Sequence, residues 1–362
     1  MTSRQRQRSG AGSEQIQVAG DYVVVQGVSE KRAAEIAKEQ ANIARREFTA
    51  EANSAARDRM DNFDEKVVRE LSVLGLLQSF SDPAFQLLLR KAQLEAAATP
   101  DDADHDMLAK LLAERAQHPS KPMHLAVTRS VEVIEYLDQE ALNGLTLYYF
   151  ATSILPALPD PKLALKMLDD LAAKLVHGPL PAGGNWLSRL DILNCIHFEP
   201  TIGFRSWDTI MFQKRPGYVS EGILPNDVDG ITGRLLAIHD DLTTLVVPHS
   251  FLPGRARINT GSSAMLLDTL RQPMQELGKL QDLEAILKDA KVDTTDNDAI
   301  ASMTRYVESE LPHLQVVRSW FNDVKGHIWL TSVGFAIAYS NARRFDDLDG
   351  LGSLADNLKL YT

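Results

Sequence analysis

The longest regular pattern of apolar and polar positions runs over residues 33–74. Small or apolar residues recur there in steps of three and four, the spacing of one face of an α-helix, provided that Arg59 takes one of the apolar positions. The other faces carry nine basic and ten acidic residues between positions 30 and 70. The pattern therefore predicts one long, charged helix that begins near Ser29. Its apolar face consists of Ala33, Ala37, Ala41, Ala44, Phe48, Ala52, Ala55, Phe63, Val67, Leu71 and Leu74.

This apolar face changes in character along the helix. Ala41, Ala52 and Phe63 are eleven residues apart, and an eleven-residue repeat predicts a nearly straight or slightly right-handed coil rather than a heptad zipper. Before Ala56 the face is mainly alanine, which lets a neighbouring helix approach closely, and beyond it the apolar side chains are larger. We expect the first half to contact other copies of the chain and the second half to pack on its own body. The alternative is a solvated arm that folds back on its own chain.

A β-prone segment precedes the helix. Ile16 and Val18 alternate with glutamines, Gly20 and Asp21 form a turn pair, and residues 22–25 favour a strand. Two short strands are marginally stable alone, so we expect this hairpin to pair with the same strands of neighbouring subunits. The predicted oligomer interface combines hairpin and helix: Ile16, Val18, Val23, Val25, Ala37, Ala41, Ala44, Phe48 and Ala52.

Residues 20–29, together with Ile36 and Ala37, resemble a leader of many uncharacterised bacterial proteins. In those proteins a Gly-Asp strand repeat precedes a long helix and a varied body, often within anti-phage defence gene clusters. Three body segments, residues 80–86, 215–218 and 330–337, are similar to one such family, which has no established activity. The resemblance implies assembly and a role in defence, and it supplies no catalytic residues.

Helix-start signals divide the remaining chain into short helices. Asp82 with Pro83 and Asp160 with Pro161 each place a capping carboxylate before a first-turn proline, and Asp138 is a third candidate cap. The expected fold is mainly α. It consists of a disordered basic tail (residues 1–14), the short β-hairpin and long helical arm (15–74), a helical bundle body (75–176), and a helical domain with a small α+β part (177–362). Strands are predicted at residues 242–248 and 256–259, which we expect to pair with each other, and at residues 327–330.

The C-terminal part also has a candidate DNA-binding motif. Residues 330–334, a strand end followed by Thr331 and the start of a helix, resemble the wing end of winged-helix domains, which implies DNA binding or a protein contact. The surrounding residues 296–349 contain at least as many acids as bases, whereas a phosphate-binding face needs clustered Lys and Arg. A DNA-binding regulator is therefore kept as the alternative to a binding or scaffold protein.

Charge and cysteine content restrict the partners. The 362 residues carry a net charge of −11 and the pI is near 5.3, which argues against a general nucleic-acid coat. Three arginines in the basic tail leave a local nucleic-acid contact as an alternative. One cysteine, Cys195, excludes an intramolecular disulfide and suits a reducing cytosol. We expect a cytoplasmic homo-oligomer whose further partner is another protein or a phage component.

Motifs of common enzymes are absent from the sequence. It has neither a nucleophile elbow nor a phosphate-binding loop. Cys195 and His197 bring a thiol near an imidazole, but the apolar helix predicted at residues 186–196 favours a buried structural cysteine. Residues 101–106 offer carboxylates and an imidazole without EF-hand spacing, which favours an exposed acidic loop over a cation site. Residues 239–241 favour a turn over an acid–base pair. No catalytic, cofactor or metal residue is predicted, and an enzyme with a site assembled from distant residues stays an alternative.

Residues 141–158 form an uncharged stretch. Eighteen residues can just cross a hydrocarbon core of about 30 Å. Interspersed polar residues, among them Asn143 and Thr146, and the lack of a basic flank favour a buried bundle helix instead. The alternative is an effector that releases this helix into a membrane.

Overall fold

The computed structural model describes residues 30–118, 120–155, 158–176, 180–203 and 205–344, with side chains from Thr49 onward within these ranges. The predicted basic tail and β-hairpin lie outside the described residues. Within the described part the chain is mainly helical, which confirms the predicted class. The chain divides into two units, Met1–Ala55 and Ala56–Thr362.

The described part of the chain consists of one long helix, α1, followed by shorter helices with four strands among them. The helices are α1 Glu30–Val73, α2 Pro83–Ala98, α3 Asp102–Gln117, α4 Lys121–Val133, α5 Gln139–Ser153, α6 Pro161–Leu175, α7 Asn185–Ile192, α8 Trp207–Lys214, α9 Val228–Leu236, α10 Ser263–Glu276, α11 Leu280–Asp289, α12 Asn297–Glu310, α13 Pro312–Asp323 and α14 Ser332–Ala342. The strands are β1 Ile196–Glu199, β2 Val246–Pro248, β3 Ala256–Ile258 and β4 His327–Leu330.

The three predicted helix caps are confirmed. The side chain of Asp82 accepts a hydrogen bond from Ala84 N at 3.0 Å, and Asp138 caps α5 in the same way. Asp160 does so for α6. Each cap satisfies a backbone N–H that the first helical turn leaves without a partner.

The second half of α1 packs on the body, as its larger side chains predict. Phe63, Val67 and Leu71 are at most 1% exposed and belong to the larger hydrophobic core. Arg59 donates a hydrogen bond to Ala97 O at the carboxyl end of α2 (3.0 Å), where backbone carbonyls lack helical partners.

The larger core surrounds α14. This helix packs against α5, α4 and α3, and its residues 333–342 are all buried. Gly334 allows the closest approach, because a Cβ at this position would overlap the carbonyl oxygen of Cys195. Tyr149 of α5 meets the ring of Phe335 edge-on at 5.0 Å.

Residues 141–153 of the uncharged stretch predicted as a bundle helix lie in α5, and most of them are buried. Ten of the fifteen residues of α5 are buried, including Leu145 and Phe150. None of the helices in the described ranges is long and apolar enough to cross a membrane.

Strands β1 and β4 form an antiparallel pair in which Phe198 lies opposite Ile328. The sequence predicts β4 and the helix start at Thr331, whose hydroxyl caps α14 by accepting from Gly334 N at 3.1 Å. It also predicts a helix over residues 186–196, which is longer than the observed α7. That helix ends at Ile192 because Asn194 adopts a left-handed conformation with φ of 56°. Eight α-helices and strands lie between β1 and its partner β4 in the chain, so the described residues do not confirm a winged-helix arrangement.

A second, smaller core lies between α9, α10, α11 and the β2–β3 pair. The predicted pairing of these two strands is confirmed, with Val246 opposite Ile258. The first strand is shorter than predicted because residues 240–245 form a 3-10 helix. Leu235 and Leu283 are fully buried in this core.

Candidate functional site

The predicted oligomer interface lies at the start of the chain. Ile16, Val18, Val23 and Val25 lie outside the described residues. Ala37, Ala41, Ala44 and Phe48 lie within α1, and their side chains are not among those described. Ala52 is described and exposed. The structure therefore places five of the nine predicted residues on one helix, and the contact between copies stays a prediction.

Residues 49–54 of α1 are exposed at every position. Six consecutive residues cover more than one helical turn, so each side of the helix here, Ala52 included, is accessible within the single chain. Ala52, which its own chain leaves accessible, has the small side chain that a neighbouring helix needs for close approach.

The acidic residues 101–106 are not a loop. Asp101 caps α3, and Asp102 and Asp106 both accept hydrogen bonds from the ammonium of Lys66 on α1, at 2.8 and 2.6 Å. Lys66 is 7% exposed, and its hydrogen bond holds the pKa of Asp102 below the ordinary aspartate value. A side-chain cation thus occupies the cluster and fastens α1 to α3.

Cys195 and His197 do not form a catalytic pair. Cys195 is completely buried, and burial raises the pKa of its thiol to about 12, so the thiol stays protonated and unreactive. His197 lies on the exposed face of β1 opposite Trp329. The prediction of a buried structural cysteine is confirmed.

The His239 imidazole stabilises a turn. Its Nδ1 accepts a hydrogen bond from Asp241 N at 3.2 Å and caps the 3-10 helix Asp240–Leu245. More than half of the His239 side chain is exposed, and Asp241 is more exposed still. The arrangement is the turn that the sequence predicts. Within the described ranges, no three His, Cys, Asp or Glu side chains are placed to hold a metal ion.

The buried guanidinium of Arg257, which the sequence did not indicate as a functional group, connects the loops around residues 215–218. Arg257 is 1% exposed and donates to Pro159 O at 2.6 Å and Thr260 O at 3.2 Å. The hydroxyl of Tyr218 donates to Leu158 O at 2.5 Å. These bonds tie three chain segments to one another through carbonyl oxygens. Burial lowers the pKa of Arg257, although a guanidinium in a protein remains charged. The alternating pattern of β3 contains no signal for this role.

An open cleft of ≈ 670 Å³ adjoins this network, between α8, the start of α10 and residues 293–300. Its charged groups already have partners. The Asp293 carboxylate accepts from Ser263 N at 2.9 Å, at the amino end of α10, and Lys214 Nζ donates to Thr152 O at 2.8 Å. The cleft therefore presents no assembled acid–base or nucleophile pair.

Comparison with known proteins places the chain in a family. No curated protein and no solved structure matches it. One family model, whose description is ":-like", matches residues 27–349 and thus most of the 362 residues. The matched segment contains α1 and all the helices and strands of the larger and smaller cores. The chain therefore belongs to this ":-like" family.

Proposed function

We propose that this protein is a non-enzymatic, homo-oligomeric binding or scaffold protein that assembles through the first half of α1. The observation that carries the proposal is the change of burial along one helix face. Ala52 is exposed, whereas Phe63 on the same face is completely buried. Ala52 is therefore available to a second copy, and the sequence continues the same apolar spacing toward Ala37.

The side chains of the predicted interface suit helix–helix contact. Helices whose facing residues are small approach to the lower end of the usual range of about 8–10 Å between axes. A single alanine buries little area, so a stable assembly needs several helices packed as a coiled coil with the eleven-residue repeat. Strand pairing through Ile16, Val18, Val23 and Val25 is the second contact in the proposal.

The biological setting is part of the same proposal. The resemblance of the leader and of residues 80–86, 215–218 and 330–337 to defence-cluster proteins supports a sensor or effector in a bacterial anti-phage system. A lone cysteine, Cys195, supports a cytoplasmic location. The partner would then be another protein or a phage component that the assembled chains present or recognise.

The test is the mass of the full-length protein in solution. We expect wild type to scatter light as an oligomer at micromolar concentration, and Ala41→Glu with Ala44→Glu to convert it to a monomer of 40.1 kDa. Each substitution appears in every subunit of a symmetric assembly, which multiplies its effect. Glutamate is a good helix former, so α1 itself is retained.

The matched control adds the same charge to the helix off its alanine face, through Asn42→Glu with Asn53→Glu. This variant should remain oligomeric. A wild-type protein that is monomeric, or a control that dissociates equally, would refute assembly through the alanine face.

A further inference from the structure

The outer surface of α2 and α4 carries four large apolar side chains. Leu87 and Leu94 of α2, Leu125 of α4 and Tyr136 of the adjoining 3-10 helix Ile134–Tyr136 are each 61–68% exposed. We call these four residues the α2–α4 patch. Single exposed apolar side chains are ordinary on a protein surface, whereas a contiguous group marks a contact surface.

The spacing of the four residues places them on one face. Lys91 of α2 bridges to Glu132 of α4 at 2.6 Å, and this ion pair lies at the surface between the two helices. The two leucines of α2 lie four residues before and three residues after Lys91, and the other two members lie seven before and four after Glu132. Steps of three, four and seven residues keep side chains on one side of a helix. The patch therefore flanks the ion pair on both sides.

The end of the patch that contains Leu125 is basic. Lys121 and Arg129 lie one helical turn on either side of Leu125, and both are exposed. Glu132 is shared by Arg129 and the lysine of α2, at 2.9 and 2.6 Å. The carboxylate of Asp82, at the start of α2, already accepts a hydrogen bond as a helix cap. Cations are thus in excess here, and we call this the basic end.

The opposite end of the patch is acidic. Glu95 and Glu135 are neighbours there, and neither residues 92–98 nor residues 133–140 contain a lysine or an arginine. Burial and the nearby carboxylate of Glu135 raise the pKa of Glu95. A cation from another segment would stabilise both carboxylates. We call this the acidic end.

A segment of suitable pattern follows α14. The sequence continues over residues 345–362, beyond the last residue that the structure describes. We call these residues the tail. Ser353 and Asp356 have the spacing of a capping box, which predicts the start of a helix. The apolar residues that follow in steps of four and three, the spacing of one helix face, are Leu354, Leu358 and Tyr361.

The tail matches the patch in spacing and in the order of its charges. Leu354 and Tyr361 are seven residues apart, as are Leu87 and Leu94, and seven residues span about 10.5 Å of helix. Aspartates come first in the tail, at positions 346, 347 and 349, and Lys359 comes near its end. A tail that runs parallel to α2 therefore places carboxylates at the basic end and Lys359 at the acidic end.

The tail is long enough to reach the patch. Arg343 near the end of α14 donates to Glu114 of α3 at 2.7 Å, and α3 packs against both α2 and α4. The eight residues 345–352 extend over at most about 26–29 Å, which is more than twice the width of about 10–12 Å of a helix. They can therefore pass α3 and bring Ser353 to the outer surface.

We propose that the tail covers the α2–α4 patch of its own chain as an amphipathic helix parallel to α2. Leu354 packs beside Leu87, Tyr361 packs beside Leu94, and Lys359 lies between the carboxylates of the acidic end. The occupant is the tail of the same chain, because a short linker gives it an effective concentration in the millimolar range. The contact shares no residue with the alanine face of α1.

Disulfide formation in the full-length protein tests the contact. The buried thiol of Cys195 does not compete, so Leu94→Cys with Tyr361→Cys supplies the reactive pair. The control is Leu163→Cys with Tyr361→Cys, since Leu163 on α6 is similarly exposed (58%). We expect the first pair to close within one chain at least ten-fold faster under mild oxidation, because a disulfide needs Cα atoms within about 7 Å. Equal rates, or a disulfide between two chains, would overturn the proposal.

Thiol labelling tests the packing without a second cysteine. Leu94→Cys should react with a maleimide at least five-fold faster when Leu358→Asp is added, whereas the labelling of Leu163→Cys should not change. Lys359→Glu should accelerate the labelling of Leu94→Cys about three-fold, and Glu135→Lys in the same chain should restore the slow rate. Unchanged labelling with Leu358→Asp would overturn the docking, and no response to either charge reversal would overturn the parallel orientation.

The disulfide test also separates this contact from self-association. The rate of closure should be the same in the presence of Ala41→Glu with Ala44→Glu, because the tail and the patch belong to one chain. Loss of the disulfide in that variant would assign the contact to the assembled protein and would overturn the proposal.

Discussion

Two parts of α1 share one helix and one apolar spacing but differ in burial. Residues 49–54 are exposed at every position, whereas Phe63, Val67 and Leu71 are at most 1% exposed. Burial of a large apolar side chain contributes about 1.5–3 kcal/mol, and an alanine contributes far less. Side-chain size on a continuous face thus distinguishes the segment that stabilises its own body from the one that remains accessible.

The polar side chains of the two parts differ as well. In the docked part, Asn62 Nδ2 donates to Asp102 Oδ1 at 2.8 Å, and Lys66 bonds to Asp102 and Asp106. Asn62 and Lys66 are one helical turn apart, so polar groups along one side of the apolar face reinforce docking on α3. Glu51 and Asn53 are exposed, which suits a segment whose contacts are made with another chain.

The largest loss of folding free energy should follow when a buried side chain is removed from the part of α1 that packs on the body. Phe63→Ala removes a fully buried ring from the larger core, and such changes cost about 3–5 kcal/mol because a cavity remains. Urea unfolding of the full chain measures the loss. A cost below about 1 kcal/mol would mean that α1 docks without stabilising the body, and the contrast between its two parts would disappear.

A smaller loss of folding free energy is expected when the ammonium group of Lys66, which lies between α1 and α3, is removed. Lys66→Met keeps the length of the side chain and removes the charge. Its partner Asp102 is mostly exposed and Asp106 is 35% exposed, so both carboxylates regain water, and the loss should be about 1–2 kcal/mol rather than the larger cost of a fully buried pair. The measurement is again urea unfolding at pH 7.

The pH dependence identifies the interaction. The pKa of Asp102 is lowered in the folded chain, chiefly by the hydrogen bond from Lys66. Its contribution is therefore fully present above the unfolded aspartate pKa of about 3.9 and is lost as the pH falls through the folded value. The difference between wild type and Lys66→Met should shrink as the pH falls below about 4. A constant difference would assign the effect to packing of the lysine stem.

Structural features that depend only on residues close together in the sequence were predictable. The caps Asp82, Asp138 and Asp160 follow from their spacing to the next helix, and the docking of Phe63 follows from its size on a helical face. The buried α5 was predictable because an uncharged helix diluted by polar residues is typical of a bundle interior.

Features that join distant residues were not predictable. Strand β1 is four residues long and acquires its structure from β4, far along the chain. Lys66 fills an acidic cluster that periodicity alone predicts as an exposed loop. The rings of Trp186 and Trp320 lie 5.9 Å apart although they come from helices distant in sequence, and Gly144 on a third helix leaves the space that the Trp186 ring occupies. A single sequence contains no signal for such pairings, since local spacing reports only which face a residue occupies.

The smallest effect on the body is expected at Ala52. This residue is exposed, and glutamate is a good helix former, so Ala52→Glu should change the unfolding free energy of the body by less than about 0.5 kcal/mol. The same substitution should weaken self-association, because the added carboxylate would lie between helices that the alanine face brings together. Thermal melting and light scattering on one sample separate the two outcomes. The control is Asn53→Glu, about 100° round the helix from Ala52 and off the alanine face. A large loss of body stability would show that residue 52 packs on its own chain, and unchanged mass together with unchanged melting would remove Ala52 from the proposed interface.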